Sequence, residues 1–176
     1  ILKVGSLDTN QILQIAASAE KGSEHPLGDA IVKMASEKNL TLSPITHLQA
    51  IPGHGIEAVV DEKKIYLGNR QLMKVQKTVL SNSIEGKMQK LEGEGKTVMI
   101  LIVNGTVEGL IAVADTLKEN SPAATAALQK MGFKLLMLTG DNQRTAQAIA
   151  RQIGIQNVLA EVLPENKALE VKKLQQ

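Results

Sequence analysis

Two apolar runs, residues 97–103 and 106–113, lie on either side of the dipeptide Asn104-Gly105. Asn-Gly between apolar runs is the strongest short-range signal for a β-hairpin, because a type I′ turn needs positive φ at both central residues. The residue pattern changes after this hairpin. We therefore predict an α+β region with an antiparallel sheet in the first two thirds of the chain, followed by a different arrangement.

The chain before the hairpin carries two well-marked helix starts. Asp8, with Gln11 three positions later, resembles a capping box, and Pro26 suits the first position of a second helix. The apolar stripe predicted for that second helix is Leu27, Ala30, Ile31, Met34 and Ala35. Further predicted elements are strands at 55–60 and 64–67, a turn at 61–63 between them, and a helix from about 79 to 91.

Helix and buried strand alternate after the hairpin, which is typical of parallel α/β units. The predicted elements are a helix from Ser121-Pro122 to 131, a strand at 134–138, a helix ending near 153, a strand near 157–160 and a helix beginning near Pro164. We place a boundary near residues 112–118 and predict two unequal lobes, residues 1–114 and 115–176. The predicted fold class is α/β, with an α+β lobe that holds an antiparallel sheet and a parallel α/β lobe.

The composition is that of a soluble globular chain and argues against several functions. Of the 176 residues, 43% are hydrophobic and 22% charged; we find no secretory leader, and no apolar run approaches the roughly 20 residues of a membrane-spanning helix. The absence of cysteine excludes disulfides and thiolate metal sites and fits a reducing compartment. A net charge of +2 and two aromatic residues, Tyr66 and Phe133, argue against a nucleic-acid surface.

Thr139-Gly140-Asp141-Asn142 follows a predicted strand and precedes a predicted helix. Backbone N–H groups and the helix dipole can bind a phosphate at such a junction, beyond the carboxyl end of a strand. Thr139 would then donate to a phosphoryl oxygen, Gly140 would let the backbone come close, and Asp141 would lie near a metal or a hinge. A strand-to-helix turn capped by Asp or Asn explains the same residues equally well.

Lys167 lies three residues after Pro164, near a helix N-terminus. The helix macrodipole disfavours a cation at that position, and an anion held between Lys167 and Thr139 would offset this cost. A solvated surface charge is the commoner explanation of a single lysine at a helix start.

His25 precedes Pro26 at the entry to the second helix, and Glu20 lies at the end of the helix before it. The His25 ring would stack on a base or hydrogen-bond to it, and the Glu20 carboxylate would accept the exocyclic amino group of adenine. An exposed or capping histidine and an exposed glutamate are the alternatives. His47 and His54 lack ligand spacing, so we predict no metal site.

Gly53 and Gly55 bracket a single residue before a strand, which allows positive φ or a close backbone approach to a ligand. Gly68-Asn69 follows the next predicted strand. An ordinary turn requires the same residues in both places.

The order of these features along the chain is more specific than any of them alone. The segments are Glu20, Ser23-Glu24-His25-Pro26-Leu27, Gly53-His54-Gly55, Gly68-Asn69, Asp115-Thr116-Leu117-Lys118, Thr139-Gly140-Asp141-Asn142 and Leu163-Pro164-Glu165-Asn166-Lys167. Together they resemble the heavy-metal subclass of P-type ATPases over practically the whole chain. The Ser-Glu-His-Pro-Leu string is the most specific segment, and it favours the copper branch over the zinc/cadmium branch.

The resemblance implies a nucleotide-binding domain inserted into a phosphorylation domain of haloacid-dehalogenase type. Residues 1–114 would be the nucleotide-binding domain with its linker, and residues 115–176 part of the phosphorylation domain. The implied nucleotide-binding residues are Glu20, His25, Gly53, Gly55 and Asn69. The implied catalytic residues are Thr139 and Lys167, and the residues implied on the phosphate and hinge side are Asp115, Lys118, Gly140 and Asp141.

Two parts of the family pattern do not occur in the sequence. The phosphorylated aspartate of Asp-Lys-Thr-Gly-Thr-Leu-Thr is expected just before Ile1, and the Gly-Asp-Gly-x-Asn-Asp-x-Pro-Ala-Leu segment, which helps to bind magnesium, is expected after Gln176. The resemblance implies ATP and Mg²⁺ as cofactors, the transmembrane and actuator domains of the same pump as partners, and a location on the cytoplasmic side of the membrane. We therefore expect a piece that binds ATP, hydrolyses it negligibly by itself and holds no metal site of its own.

Two other functions fit part of the pattern. A free-standing hydrolase of the dehalogenase superfamily would share the Thr and Lys motifs, but it needs an Asp-x-Asp nucleophile near its start, and we find none. A non-catalytic nucleotide-binding module would keep the first lobe and have no use for Thr139 and Lys167.

Overall fold

The computed structural model describes residues 1–23, 25–114 and 117–175. The chain forms two compact units: the first consists of Ile1–Met88 with Val98–Val113, and the second of Gln89–Thr97 with Ala114–Gln176. The last division falls within the boundary region predicted at 112–118. Segment Gln89–Thr97 groups with the second unit, although the predicted lobes placed it in the first. In the described part of the chain, no helix has the length and apolar character needed to cross a membrane.

The first unit is built on a six-stranded sheet in the order β1-β6-β5-β4-β3-β2. Its strands are β1 (Leu2–Lys3), β2 (Ile45–Ile51), β3 (Gly55–Val60), β4 (Lys63–Gly68), β5 (Lys96–Val103) and β6 (Thr106–Ala114). The helices of this part of the chain are α1 (Thr9–Glu20), α2 (Pro26–Glu37), α3 (Arg70–Val75) and α4 (Asn82–Gly93). α4 and β5 each continue across a boundary of segment Gln89–Thr97.

Two hairpins follow from local backbone chemistry. Asn104 and Gly105 have φ of 48° and 82°, which confirms the predicted turn between β5 and β6. The turn between β3 and β4 is tighter than predicted, because Asp61 and Glu62 both have positive φ and β4 already begins at Lys63. The predicted antiparallel sheet is therefore present.

The core of the first unit lies between α1, α2 and the sheet. Its largest fully buried side chains include Ile12 and Leu13 of α1, Ile31 of α2, Ile65 and Leu67 of β4, and Leu101 of β5. The buried face of α2 consists of Gly28, Ile31 and Ala35. Ala30 and Met34, predicted as part of the apolar stripe, are exposed. The prediction for these two was wrong because α2 approaches α1 through Gly28, which narrows the face it buries.

Local signals found some elements and missed others. The capping box at Asp8 and the first helical turn at Pro26 are confirmed. α4 begins at Asn82, three residues after the predicted start, and Val79 is exposed. α3 and β2 were not among the elements predicted from the sequence. α3 has six residues, and a register shift between Ile45 and His47 interrupts the alternation of β2.

The second unit contains a parallel pair of strands, β7 (Leu136–Leu138) and β8 (Asn157–Leu159), in the register Leu136↔Asn157 to Leu138↔Leu159. Its remaining helices are α5 (Ser121–Lys130), α6 (Gln143–Gln152) and α7 (Pro164–Leu174). β7 is shorter than the predicted strand at 134–138. The predicted fold class, an antiparallel α+β part and a parallel α/β part, is confirmed.

Candidate functional site

Glu20 is the last residue of α1, and its side chain is almost completely enclosed, with 4% of the residue exposed. Its Oε2 atom is buried and has no hydrogen-bond partner. Burial raises the pKa of the Glu20 carboxyl above its ordinary value, while a hydrogen bond from Ser23 and the electrostatic influence of the nearby His25 oppose that rise. The structure therefore excludes the alternative that Glu20 is an ordinary exposed glutamate.

Gly28 makes room for this carboxylate. A Cβ atom at position 28 would lie 2.5 Å from Glu20 Oε2 and 3.3 Å from Glu20 Cβ. Sequence reasoning missed Gly28. A signal was present, because glycine inside a helix costs about 1 kcal/mol relative to alanine, which points to a packing requirement.

His25 is exposed and is the N-cap of α2. Its Nδ1 atom accepts a hydrogen bond from Leu27 N at 3.2 Å. An accepting Nδ1 carries no proton, so the proton of the neutral ring is on Nε2. The predicted alternatives of a capping histidine and a donor to a base are therefore compatible: Nδ1 caps the helix and Nε2–H is left as a donor.

Gly53, Gly55 and Asn69 lie together where the β2–β3 turn meets the end of β4. Gly53 and Gly55 have φ of 71° and 142°, values that disfavour other residues. Gly55 is opposite Gly68 in the register of β3 and β4. A Cβ on Gly55 would overlap the carbonyl oxygen of Leu67, so the two strands need glycine here.

Asn69 connects this glycine turn to α3. Its Nδ2 donates to Gly53 O at 2.8 Å, and its Oδ1 accepts from Gln71 N at 2.9 Å and Leu72 N at 3.2 Å. Both ends of the side-chain amide therefore bind backbone. In this structure Asn69 holds the turn in place.

The two groups, Glu20 with His25 and the glycine turn with Asn69, are related through β2. A Cβ on Gly22, in the turn after α1, would lie 3.1 Å from Leu48 Cδ2 of β2. β2 ends at Ile51, just before the glycine turn. At about 3.3 Å per residue, the three steps from Leu48 to Ile51 span about 10 Å.

Thr139, Gly140 and Asp141 form a closed turn after β7. Thr139 Oγ1 donates to Asp141 Oδ2 at 2.7 Å, and Asp141 N donates back to Thr139 Oγ1 at 3.1 Å. Val162 N donates to Thr139 O at 3.1 Å, which connects this turn to the residues before α7. Asn142 caps α6 through Arg144 N and Thr145 N, as the cap interpretation predicted.

Thr97 is a further contact of this turn that sequence reasoning missed. Its Oγ1 donates to Asp141 Oδ1 at 3.0 Å. The two residues are 44 positions apart, and no spacing in the sequence connects them. From the sequence, residue 97 was predicted solely as the start of a strand.

The structure gives less support to three other predicted site residues, Lys167, Lys118 and Asp115. Lys167 is exposed in the first turns of α7, and its side chain makes no hydrogen bond or ion pair with the residues that the structure describes. Lys118 is exposed and its carbonyl accepts from Ser121 N. Asp115 lies outside the described residues, as does Glu24 of the Ser-Glu-His-Pro-Leu string.

The described residues do not form a metal site. Across residues 1–23, 25–114 and 117–175, no group of three or more His, Cys, Asp or Glu side chains is placed to hold a metal ion. Asp141 has both carboxylate oxygens bound by threonine hydroxyls.

The turn formed by Thr139, Gly140 and Asp141 after a parallel strand, together with the α/β architecture, defines a class of protein. The family model of haloacid dehalogenase-like hydrolases matches residues 4–176, and the chain belongs to this family. Within it, the chain is 51% identical over 167 residues to the copper-exporting P-type ATPase of Staphylococcus aureus strain JH9, and 50% identical to that of strain MRSA252. Both alignments cover 95% of this chain and 21% of the relative, so the chain spans about a fifth of the length of these relatives.

Solved structures of P-type ATPases have the same fold. A zinc-transporting PIB-type ATPase in its E2.Pi state is 32% identical, with a TM-score of 0.65 over 99% of this chain and 28% of that chain. The N-domain of HMA8, a copper-transporting P-type ATPase, is 25% identical, with a TM-score of 0.55 over 65% of this chain and 97% of that domain. These likenesses confirm the predicted resemblance to heavy-metal P-type ATPases.

Proposed function

We propose that this chain is the ATP-binding headpiece of a copper-exporting P-type ATPase, located on the cytoplasmic side of the membrane. Residues 1–114 would be the nucleotide-binding domain with its linker, and residues 115–176 part of the phosphorylation domain. The transmembrane and actuator domains of the same pump would be its partners. The 51% identity to copper-exporting relatives supports the transported metal. The observation that carries nucleotide binding is the buried Oε2 atom of Glu20, which has no hydrogen-bond partner.

A buried acceptor without a partner is costly, by about 1–3 kcal/mol. An amino group of a ligand would relieve that cost, and the exocyclic amino group of adenine is a donor of this kind. Oε2 itself faces Gly28, so the carboxylate would have to rotate to bring this unpartnered oxygen to the ligand. Nε2–H of His25 would donate to the base from the same side, and Asn69 would hold the glycine turn that the nucleotide approaches.

The second unit would act on the phosphate end of the nucleotide. The Thr139 hydroxyl would bind a phosphoryl oxygen and Lys167 would neutralise charge on the transferring group, so both would stabilise the transition state by position and electrostatics. The accepting aspartate would come from a segment that this sequence does not contain. The described residues do not fit a Mg²⁺ site, so we assign Mg²⁺ no step here; it would arrive with ATP.

Two alternative functions, a free-standing phosphohydrolase and a non-catalytic nucleotide-binding module, can be distinguished from the proposed one through Lys167. A free-standing phosphohydrolase would hydrolyse phosphate esters without a transporter, and a non-catalytic module would bind nucleotide without needing Lys167. We expect Lys167→Ala in the intact transporter to abolish phosphorylation by ATP and to retain ATP binding. Retained phosphorylation would support a non-catalytic role for this lysine.

Nucleotide binding is tested by calorimetric titration of ATP into this chain. His25→Ala should weaken ATP binding about tenfold, the effect of losing one hydrogen bond of about 1.4 kcal/mol. His47→Ala is the matched control, because His47 is an exposed histidine on β2, and it should bind ATP like the unsubstituted chain. Equal ATP affinity in the His25→Ala variant would remove the adenosine site from the proposal.

A further inference from the structure

The carboxylate of Asp141 is held from both sides by hydroxyl groups. Thr97 Oγ1 donates to Oδ1 at 3.0 Å, and Thr139 Oγ1 donates to Oδ2 at 2.7 Å. All three residues belong to the second unit. Hydrogen bonds to an ionised acceptor are the stronger kind, so this pair of bonds fixes the orientation of the carboxylate.

The segment that carries Thr97 is itself attached to α6 of the same unit. Thr145 Oγ1 donates to Lys96 O at 2.8 Å, and Arg144 forms an ion pair of 3.6 Å with Glu92, whose side chain is fully buried. Gly95 has φ of 81°, and a Cβ there would lie 3.3 Å from the side chain of Gln152. Thr97 is therefore presented to Asp141 by a fixed backbone.

The hydrogen-bond capacity of Thr139 creates a conflict that Thr97 resolves. A threonine hydroxyl has a single proton to donate, and Thr139 gives its proton to Asp141 Oδ2. To donate to a phosphoryl oxygen, the Thr139 hydroxyl must turn away from the carboxylate. With Thr97 still donating to Oδ1, Asp141 keeps a partner and its orientation during that change. Without Thr97, the same change leaves the carboxylate with no hydroxyl donor.

We propose that Thr97 is a positioning residue for phosphoryl transfer: by holding Asp141, it allows the Thr139 hydroxyl to be released to the phosphoryl group. This inference rests on the function proposed above. Thr97 does not touch the reacting atoms in this scheme. Its effect on the reaction passes through Asp141 to Thr139.

The variants separate the hydroxyl from the shape of the side chain. Thr97→Val removes the hydroxyl and keeps the shape, and Thr97→Ser keeps the hydroxyl. Thr106→Val is the matched control, because Thr106 is an exposed threonine at the start of β6. Thr97→Val on an Asp141→Ala background, in which residue 141 has no side-chain oxygen to accept from Thr97, tests whether the effect passes through Asp141.

Hydrogen exchange of the Asp141 amide, measured on this chain, tests whether Thr97 holds Asp141 in place. We expect exchange about tenfold faster in Thr97→Val, the size expected from one lost hydrogen bond to a charged group, and unchanged exchange in Thr97→Ser and Thr106→Val. Equal exchange in Thr97→Val and the unsubstituted chain would overturn the inference without bearing on ATP binding.

Phosphorylation of the intact transporter by ATP tests whether Thr97 assists phosphoryl transfer. We expect Thr97→Val to slow phosphoenzyme formation about tenfold, with an unchanged ATP concentration for half-maximal rate, and Thr97→Ser to restore the rate. On the Asp141→Ala background, Thr97→Val should add little. A full additional loss there, or a Thr97→Ser variant as slow as Thr97→Val, would overturn the inference. A transporter with no phosphoenzyme before any substitution would instead refute the proposed function.

Discussion

Glu20 combines three properties that rarely occur in one side chain: it is ionisable, almost fully buried and short of a hydrogen-bond partner. Burial disfavours the charged carboxylate and raises its pKa above the ordinary value of 4.5. A carboxyl with a raised folded-state pKa binds its proton more tightly in the folded chain than in the unfolded one. The folded state is therefore relatively stabilised at low pH, and this advantage is lost as the pH rises through the folded-state pKa.

We predict a pH-dependent effect of Glu20→Gln on stability. The free energy of unfolding of the variant, relative to the unsubstituted chain, should increase between pH 4 and pH 7.5 by about 1 kcal/mol, the low end of the cost of an unsatisfied buried group. Urea unfolding at both pH values measures it. Saturating ATP should shrink the difference, because a donor from the ligand favours the ionised form. A difference that does not change with pH would show that folding leaves the pKa of Glu20 unchanged, and would contradict the prediction.

Sequence reasoning reached some of these residues and not others for a physical reason. Glu20 and His25 lie five positions apart, so the order of residues along the chain identifies them. Thr97 acts on Asp141 across 44 positions, and that contact exists only after the chain has folded. The burial of Glu20 was likewise unpredictable, because it depends on how closely α2 packs against α1.

The contact between α1 and α2 depends on glycine at position 28. Alanine is normally the better helix former by about 1 kcal/mol, but a Cβ at this position lies 2.5 Å from the Glu20 carboxylate. The carboxylate is the flexible end of its side chain, so it will move first. A helix interface and a candidate ligand group therefore share the same space.

We predict that Gly28→Ala weakens ATP binding and gains no stability. Gly86→Ala is the control, because Gly86 lies inside α4 with nothing within 4 Å of an added Cβ; this variant should gain about 1 kcal/mol and bind ATP normally. Urea unfolding and calorimetric titration measure the two effects. A Gly28→Ala variant that gains as much stability as Gly86→Ala, with unchanged ATP affinity, would contradict the prediction.

Elements with a local cause were predictable. The Asn104-Gly105 hairpin and the capping box at Asp8 each depend on a few consecutive residues, and both are confirmed. β2 was missed because its bulge interrupts the alternation on which strand prediction depends. α3 is too short to show a helical period.

At the scale of the whole molecule, the chain supplies some parts of the proposed reaction cycle and not others. Its candidate nucleotide residues lie in the first unit and its candidate phosphate residues in the second. The Asp-Lys-Thr-Gly-Thr sequence of the accepting aspartate does not occur among its 176 residues. We therefore expect this chain to bind ATP without carrying out phosphoryl transfer.

We predict that this chain binds ATP but neither hydrolyses it above the rate of buffer nor forms an acid-stable phosphoenzyme. Incubation with ATP labelled at the γ-phosphate, followed by acid precipitation and phosphate release assays, measures both. The intact transporter is the positive control. A stable phosphoenzyme formed by this chain alone would contradict the assignment of the acceptor to another segment.

The change in residue pattern near the central hairpin indicated a boundary there, but it could not indicate that segment Gln89–Thr97 groups with the second unit. The segment contains the end of α4 and the start of β5, and the rest of both elements lies in the first unit. It belongs to the second unit through Glu92, Lys96 and Thr97, whose partners are Arg144, Thr145 and Asp141.

The interleaved course of the chain affects how the protein can be divided. Because the backbone passes between the units at Met88, at Thr97 and at Val113, no single cut isolates either unit. A truncation after Val113 keeps Glu92, Lys96 and Thr97 and removes the three residues that bind them. The truncated chain would then expose the Glu92 carboxylate, which is enclosed in the full chain, so its affinity for ATP and its stability should not be transferred to the intact protein without correction.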